Sequence, residues 1–270
     1  MTPDKRLGQH FLTDRNILQR IVDALDPAPD DVVVEIGAGK GSLTEQLLAR
    51  GLRVIAIEKD RRLAAELGTR KSERGTDRLT VVHGDALRVE WQALIVPPSA
   101  FRVPPFKVVG NIPYAITSPL IDKALTPPLP TCIVFLVQAE VADRIAAPPG
   151  SKAYGALSVG VQAVCRVEQL FAVRAGAFTP PPKVHSALVR LTPLAQPLVA
   201  PEEIAAFRAF VTACFTRRRK QLRNVVMAAT GRSAAVVAAG LAALGLDPTV
   251  RPETLASTDF VRLLRWSARL

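Results

Sequence analysis

Short apolar runs alternate with stretches of helical spacing along the first two-thirds of the chain. Ile17, Leu18, Ile21, Val22 and Leu25 recur as one helix face behind Thr13 or Asp14, either of which can cap it, and Pro27 and Pro29 stop it. Val32-Val33-Val34-Glu35-Ile36 is apolar almost throughout, as a parallel strand covered on both faces must be. It runs into Gly37-Ala38-Gly39-Lys40-Gly41, after which Ser42 is expected to cap a helix through Leu47, Leu48 and Arg50. Arg53-Val54-Ile55-Ala56-Ile57 predicts a second strand ending in Glu58-Lys59-Asp60, followed by a helix rich in Leu and Ala. Leu79-Thr80-Val81-Val82-His83 predicts a third, ending at Gly84-Asp85-Ala86-Leu87.

The rhythm breaks over residues 91–105, where Pro97, Pro98, Pro104 and Pro105 predict a surface excursion. Phe106-Lys107-Val108-Val109-Gly110 then reads as a fourth strand, Thr117 or Ser118 with Pro119 starts a helix, and residues 131–138 form a fifth strand continuing into a helix over 140–146. After the loop 148–152 a helix is expected over 155–164. Residues 167–173 and 184–191 predict two antiparallel strands that close the sheet, joined through the stiff Phe178-Thr179-Pro180-Pro181-Pro182-Lys183. This alternation predicts an α/β fold, a doubly wound, mostly parallel sheet. Pro193 and Pro197 mark a boundary, beyond which helices are expected over 202–215, 218–230, 234–244 and 254–268. The chain therefore divides into 1–193, which carries the sheet, and a helical domain of 194–270.

Charge narrows the partners. The 270 residues carry 35 Lys and Arg against 24 Asp and Glu, a net +11 that points to a polyanion, most simply nucleic acid. From residue 195 onward there are 11 basic and 5 acidic residues. Arg217, Arg218, Arg219, Lys220 and Arg223 put five positive charges into seven residues without an acid. On the expected helix they occupy more than one face, which suits phosphate contact, although a solvated helix face explains such a run too. Lys183 and Arg190 extend the basic surface. Cys132, Cys165 and Cys214 stand far apart, as do His10, His83 and His185, so neither a redox pair nor a metal site is expected. No apolar stretch follows Thr2-Pro3-Asp4-Lys5-Arg6, so no signal peptide is expected. The longest apolar run, 234–246, is too short to span a bilayer. A cytoplasmic, membrane-free, metal-free monomer is the expectation.

Chemistry gathers at the predicted C-terminal ends of the strands, where open α/β sheets bind ligands. Gly37, Gly39 and Gly41 let the backbone turn sharply against a ligand. Glu58, at the end of the next strand, stands where a carboxylate binds the ribose hydroxyls of a nucleoside, and Asp85 ends the third strand, placed to accept from an adenine amine. A dinucleotide favours G-x-G-x-x-G, whereas the third glycine here comes one residue early. Glu35 would repel a pyrophosphate but suit an ammonium, so S-adenosylmethionine fits better; a carboxylate that braces the loop is the competing reading for Glu35. Asn111-Ile112-Pro113-Tyr114 follows the fourth strand. Its side-chain amide and the carbonyl before proline can accept the hydrogens of a planar amine, and Tyr114 offers a face for a base, though an ordinary turn uses the same residues.

Gln9-His10-Phe11-Leu12, Glu35-Ile36-Gly37-Ala38-Gly39-Lys40-Gly41, Glu58, Gly84-Asp85-Ala86, Asn111-Ile112-Pro113-Tyr114, Phe178-Thr179-Pro180-Pro181-Pro182-Lys183-Val184-His185-Ser186 and the 217–224 segment come in an order and spacing that resembles the rRNA adenine N6,N6-dimethyltransferases over nearly the whole chain. Among the branches of that family the chain is most similar to the bacterial one acting on the small subunit. The resemblance implies a Rossmann-like class I methyltransferase domain that uses S-adenosylmethionine to dimethylate two adjacent adenosines in a hairpin near the 3′ end of small-subunit rRNA, in a partly assembled particle. It implies that His10, Leu12, Gly37, Glu58, Asp85 and Asn111 line the cofactor site, and Gly39 and Ala86 are expected beside them. His10 stands where many relatives have Asn, so its contact is through backbone or through ring. The resemblance also implies that Asn111, Pro113, Tyr114 and Phe178 hold the target base, with Tyr114 and Phe178 on its two faces. The basic residues, Lys183 included, would meet rRNA. Three other readings stand beside it: a large-subunit adenine methyltransferase of the antibiotic-resistance type, a non-catalytic nucleic-acid-binding assembly factor on the same fold, and a nicotinamide oxidoreductase, which has the glycines and Glu58 but no hydride-relay residues.

Overall fold

The computed structural model describes residues 9–96 and 104–268; the segments Thr2-Pro3-Asp4-Lys5-Arg6 and Leu7-Gly8, and the part of the proline-rich excursion at 97–103, lie outside the described residues. In chain order the elements are β1 Phe11–Leu12, α1 Arg15–Ala24, β2 Val32–Ile36, α2 Ser42–Ala49, β3 Arg53–Glu58, α3 Arg61–Arg74, β4 Leu79–His83, α4 Trp91–Ile95, β5 Phe106–Asn111, α5 Thr117–Ala124, β6 Cys132–Gln138, α6 Ala139–Ala146, α7 Ala156–Gln162, β7 Cys165–Val173, β8 Phe178–Thr179, β9 Ser186–Pro193, α8 Ile204–Phe215, α9 Leu222–Thr230, α10 Ala234–Ala243 and α11 Ser257–Ala268.

Seven strands form one sheet in the order β4-β3-β2-β5-β6-β9-β7. The five on the β4 side are parallel, with Glu35 level with Ala56 and Val109, and Gly110 level with Ile36 and Phe135. Their inner residues explain the apolar runs: Val33, Val34, Val108, Val109, Ile133 and Val134 are fully buried. The chain leaves β2 toward β3 and β4, then crosses back and continues from β5 to β6. The order thus reverses between β2 and β5, and at such a switch point the loops part to leave a crevice. The closing strands differ from a simple terminal pair. β9 runs antiparallel to β6, with Ser186 opposite Gln138, and it lies inside the sheet while the earlier β7 takes the edge. A separate antiparallel ladder joins β1 to β8, pairing Phe11 with Thr179 and Leu12 with Phe178.

Local chemistry sets the helix ends. Asp14 caps α1, its Oδ1 accepting from the backbone of Asn16 at 2.9 Å and Ile17 at 3.2 Å. Ser42 is not the cap of α2: Gly41 holds that position and Ser42 is the first helical residue. At Gly110 a side chain has no room, since a Cβ there would meet the Ile36 carbonyl oxygen at 2.6 Å and Ile112 Cδ1 at 2.8 Å.

The chain divides into two compact units. One holds the residues up to Ala142 with Glu168–Pro193, and the other holds Asp143–Val167 with the chain from Leu194 onward. Residues 143–167 therefore group with the C-terminal helices and not with the sheet residues that flank them in sequence. Within this second unit the Tyr154 hydroxyl donates to Leu255 O at 2.9 Å, and its ring meets Phe215 edge-on at 6.2 Å. Helix α10 lies against Trp266 of α11 so closely that a Cβ on Gly240 would fall 2.1 Å from the indole. The basic cluster is not helical as the sequence suggested. Arg217, Arg218, Arg219 and Lys220 lie in the turn between α8 and α9, and only Arg223 is on a helix. Cys132, Cys165 and Cys214 are buried, and burial pushes the Cys214 thiol up to about 12. No single helix among the described residues is long and apolar enough to cross a membrane.

Candidate active site

The crevice at the β2/β5 switch point is a cavity of about 480 Å³, within the range of small-molecule sites. The loop after β2 brings Glu35, Gly37 and Gly39 to it, β3 brings Glu58, the loop after β4 brings Asp85 and Ala86, and β5 ends in Asn111-Ile112-Pro113-Tyr114 on its wall. Gln9, His10, Phe11 and Leu12 cover it from the N-terminal side. Gly39, at φ +55°, passes beneath Phe11, whose ring would lie 3.2 Å from a Cβ there, so a side chain would be strained in its backbone and would press on that ring.

Three carboxylates at successive strand ends are held differently. Glu58 is nearly buried; its Oε2 accepts from Gly39 N and its Oε1 from Asp60 N, both at 2.7 Å. It therefore ties the glycine loop to the end of β3, and each oxygen keeps a further lone pair for a ligand hydroxyl. Asp85 accepts from Lys59 Nζ at 2.8 Å and Leu87 N at 3.0 Å, and these two bonds, Lys59 first, hold its carboxyl below the ordinary aspartate range. Glu35 is fully buried. Burial raises its carboxyl to about 7, against the hydrogen bond it accepts from Thr44 Oγ1 at 2.6 Å and with help from the charge of Glu58. It thus braces α2 through Thr44 while also facing the cavity.

Asn111 is fixed by its neighbour across the cleft: Nδ2 donates to His10 O at 2.8 Å. That bond sets which way the amide points and leaves Oδ1 as the acceptor on its other side. The Tyr114 hydroxyl shares a 2.9 Å hydrogen bond with Ser186 Oγ, a buried serine at the start of β9. Buried Trp91 donates from Nε1 to Ala86 O at 2.9 Å and so pins the loop after β4. Ser186, Thr44, Lys59 and Trp91 carried no assignment from the sequence. Ser186 ends the Phe178–Ser186 motif, but only the β6–β9 register makes it the partner of Tyr114.

The structure gathers His10, Leu12, Glu35, Gly37, Gly39, Glu58, Asp85, Ala86, Asn111, Pro113 and Tyr114 around one cavity. It does not bring Phe178 there. That side chain is 3% exposed and packs into the core, because its strand partner Leu12 turns the same residue pair inward. Arg190 is not a free surface cation either, since its guanidinium grips Glu168 through Nε at 3.0 Å and Nη2 at 2.9 Å. Lys183 is exposed. In the helical unit Arg217, Arg219, Lys220 and Arg223 are exposed, whereas Arg218 is engaged by Glu253 at 2.8 Å and by Lys152 O. Among the described residues no cluster of three or more His, Cys, Asp or Glu is placed to hold a metal ion.

The residues present fit a nucleoside cofactor that bears an ammonium: a ribose-binding carboxylate at Glu58, an adenine acceptor at Asp85, apolar walls in Ile57, Ala86 and Leu43, and a buried carboxyl at Glu35 that a positive charge would ionise.

Comparison with known proteins agrees. The profile of the family described as ribosomal RNA adenine dimethylase matches residues 2–263. A protein of Hahella chejuensis named ribosomal RNA small subunit methyltransferase A is 42% identical over 260 residues, covering 96% of this chain and 90% of its own length. Among solved structures, a dimethyladenosine transferase from Plasmodium falciparum superposes with a TM-score of 0.79 at 29% identity, covering 94% of this chain and 96% of its own. The 23S rRNA methyltransferase ErmE superposes with a TM-score of 0.71, also at 29% identity, covering 96% and 99%.

Proposed function

The chain belongs to the ribosomal RNA adenine dimethylase family, and on that footing we propose that it dimethylates the N6 amines of two adjacent adenosines in a hairpin near the 3′ end of small-subunit rRNA. It is an rRNA adenine dimethyltransferase that uses S-adenosylmethionine. The choice of the small subunit rests on the name shared by relatives about 42% identical over nearly the whole chain. We take the substrate to be a partly assembled particle, met in the cytoplasm by a single copy of the protein.

The observation that carries the mechanism is the Asn111 amide, aimed by its bond to His10 O into the cleft bounded by Glu58 and Asp85. The cofactor supplies an electrophilic methyl carbon on a sulfonium. Glu58 would hold its ribose, Asp85 and Ala86 its adenine, Glu35 and the loop at Gly37 and Gly39 its methionine end, with Leu12 and His10 closing over it. The exocyclic amine of the target adenine is a poor nucleophile, because its lone pair is delocalised into the ring. Asn111 Oδ1 and the Ile112 carbonyl accept its two hydrogens and draw the lone pair out of that conjugation. Pro113 restricts the backbone of Ile112 to the extended region that such a carbonyl needs. Tyr114 stacks on the base, worth about 1–3 kcal/mol per face. Catalysis is then a matter of positioning, and no strong base is needed, because the nitrogen is cationic before its proton leaves. Lys183, Arg217, Arg219, Lys220 and Arg223 would grip rRNA phosphates.

The test is to offer purified small and large ribosomal subunits with labelled S-adenosylmethionine and to identify the product by mass spectrometry. Dimethyladenosine in the small subunit is expected, reduced at least about a hundredfold by Asn111→Ala, in line with the loss of one transition-state hydrogen-bonding group. Label entering only the large subunit would establish the second reading, which the likeness to ErmE favours. A protein that binds NADH and not S-adenosylmethionine would overturn both.

A further inference from the structure

We propose that Trp91 and Lys123 are positioning residues for the adenine of the cofactor, because together they fix the turn that aims the Asp85 carboxylate. The inference rests on the adenine role proposed for Asp85. Asp85 and Ala86 line the cavity; Trp91 and Lys123 do not, and they act through the turn that does.

The Trp91 indole is 1% exposed, and its N–H can only donate. The acceptor it finds is Ala86 O, at 2.9 Å. The same peptide unit carries the N–H of Leu87, which donates to Asp85 Oδ1 at 3.0 Å. A trans peptide is planar, with its C=O and N–H pointing in opposite directions. Holding the oxygen therefore sets where the N–H points, and with it where Asp85 Oδ1 sits. The other carboxylate oxygen, Oδ2, is gripped by Lys59 Nζ at 2.8 Å. Lys123 completes the arrangement from α5. Its Nζ donates to the next carbonyl, Leu87 O, at 3.1 Å and stands 5.7 Å above the Trp91 ring, within cation–π range. Glu90 lies 3.4 Å from the same ammonium, whose side chain is largely buried. The turn itself is tight, since Arg88 N and Val89 N both donate to Asp85 O, at 2.8 and 2.9 Å. Two consecutive carbonyls beside the adenine acceptor are thus held by two side chains from outside the cavity. Core filling explains the buried ring; the bonds to these carbonyls give Trp91 and Lys123 a bearing on the ligand.

Trp91→Phe keeps a buried ring and loses the N–H, and Lys123→Met keeps the stem and loses the ammonium. Each variant is compared with wild type by calorimetric binding of S-adenosylhomocysteine and of its inosine counterpart, in which an oxo group replaces the exocyclic amine. The kcat and KM for S-adenosylmethionine and the melting temperature are measured alongside. Wild type should prefer the adenosine compound by about tenfold to a hundredfold, the worth of a hydrogen bond to a charged acceptor. Trp91→Phe should shrink that preference by about fivefold and raise the KM for cofactor by a similar factor, the worth of one ordinary hydrogen bond, with kcat kept within about twofold. Lys123→Met should move the preference in the same direction. A structural role alone lowers the melting temperature and leaves the preference as in wild type; that result in both variants overturns the proposal, and in Lys123→Met alone it removes Lys123 from it. Should Trp91→Phe fail to fold, Lys123→Met decides. A wild type with no preference sinks the adenine role of Asp85 and this inference together, whereas a wild type with the preference and variants that keep it in full sink this inference only.

Discussion

Glu35→Gln should change how the stability of the sheet unit depends on pH. In the folded protein burial raises the Glu35 carboxyl from 4.5 to about 7. The native state therefore holds this proton more tightly than the unfolded chain does. Between the two values it binds more protons than the unfolded state, so stability falls as pH rises through that window. A shift of between two and three units, at 1.36 kcal/mol per unit, amounts to about 3 kcal/mol lost between roughly pH 4.5 and pH 7. Glutamine keeps an oxygen to accept from Thr44 Oγ1 and carries no charge to bury. Urea unfolding of both proteins at pH 5 and pH 8 measures the difference. The advantage of Glu35→Gln over wild type should grow by as much as about 3 kcal/mol from the lower to the higher pH. A difference that stays constant would mean that water reaches the carboxylate. One that reverses sign would mean that the anion is the favoured form, and the burial argument would fail. Wild-type affinity for S-adenosylmethionine should rise through the same window, as the cofactor's ammonium favours the ionised carboxylate, and Glu35→Gln should flatten that rise.

Three further outcomes can be checked. Ser186→Ala removes the anchor of the Tyr114 hydroxyl, a hydrogen bond worth about 1 kcal/mol, and should lower kcat/KM several-fold; Tyr114→Phe should do the same, and the double variant should be no worse than either alone. Gly110→Ala forces a methyl to within 2.6 Å of the Ile36 carbonyl oxygen, so β2 and β5 must part; about 1–3 kcal/mol of stability should go in thermal unfolding, and kcat should drop because Asn111 is the next residue. Replacing Arg217, Arg219 and Lys220 with Gln should flatten the salt dependence of rRNA binding by about 2 units of log–log slope, at about 0.7 per single-strand phosphate contact, while Arg218→Gln, which breaks the pair with Glu253, should show first as lowered melting temperature.

Much of the site could be read along the chain because its parts are local. A buried parallel strand must be apolar, so Val32–Ile36 and Phe106–Asn111 announce themselves, and a ligand-binding residue at a strand's end stands directly after such a run. Glu58, Asp85 and Asn111 are placed by that logic alone. The helix expected over 218–230 starts only at Leu222, and the reason is local as well. Arginine and lysine are good helix formers, and nothing in the run shows that the chain must turn between α8 and α9 so that both can pack.

What only the folded chain decided are the pairings between residues far apart in sequence. The apolar residues of β1 and α1 say nothing of β8, yet the pairing of Leu12 with Phe178 sends that ring into the core, and His10 lies beside Tyr114. The insertion of β9 between β6 and β7 sets Ser186 behind Tyr114, and the side chain of Asn111 finds its partner 101 residues earlier, at His10 O. Propensity and periodicity report what a segment prefers on its own. Which face of an aromatic stays open, and which way an amide points, depend on neighbours that only strand register supplies.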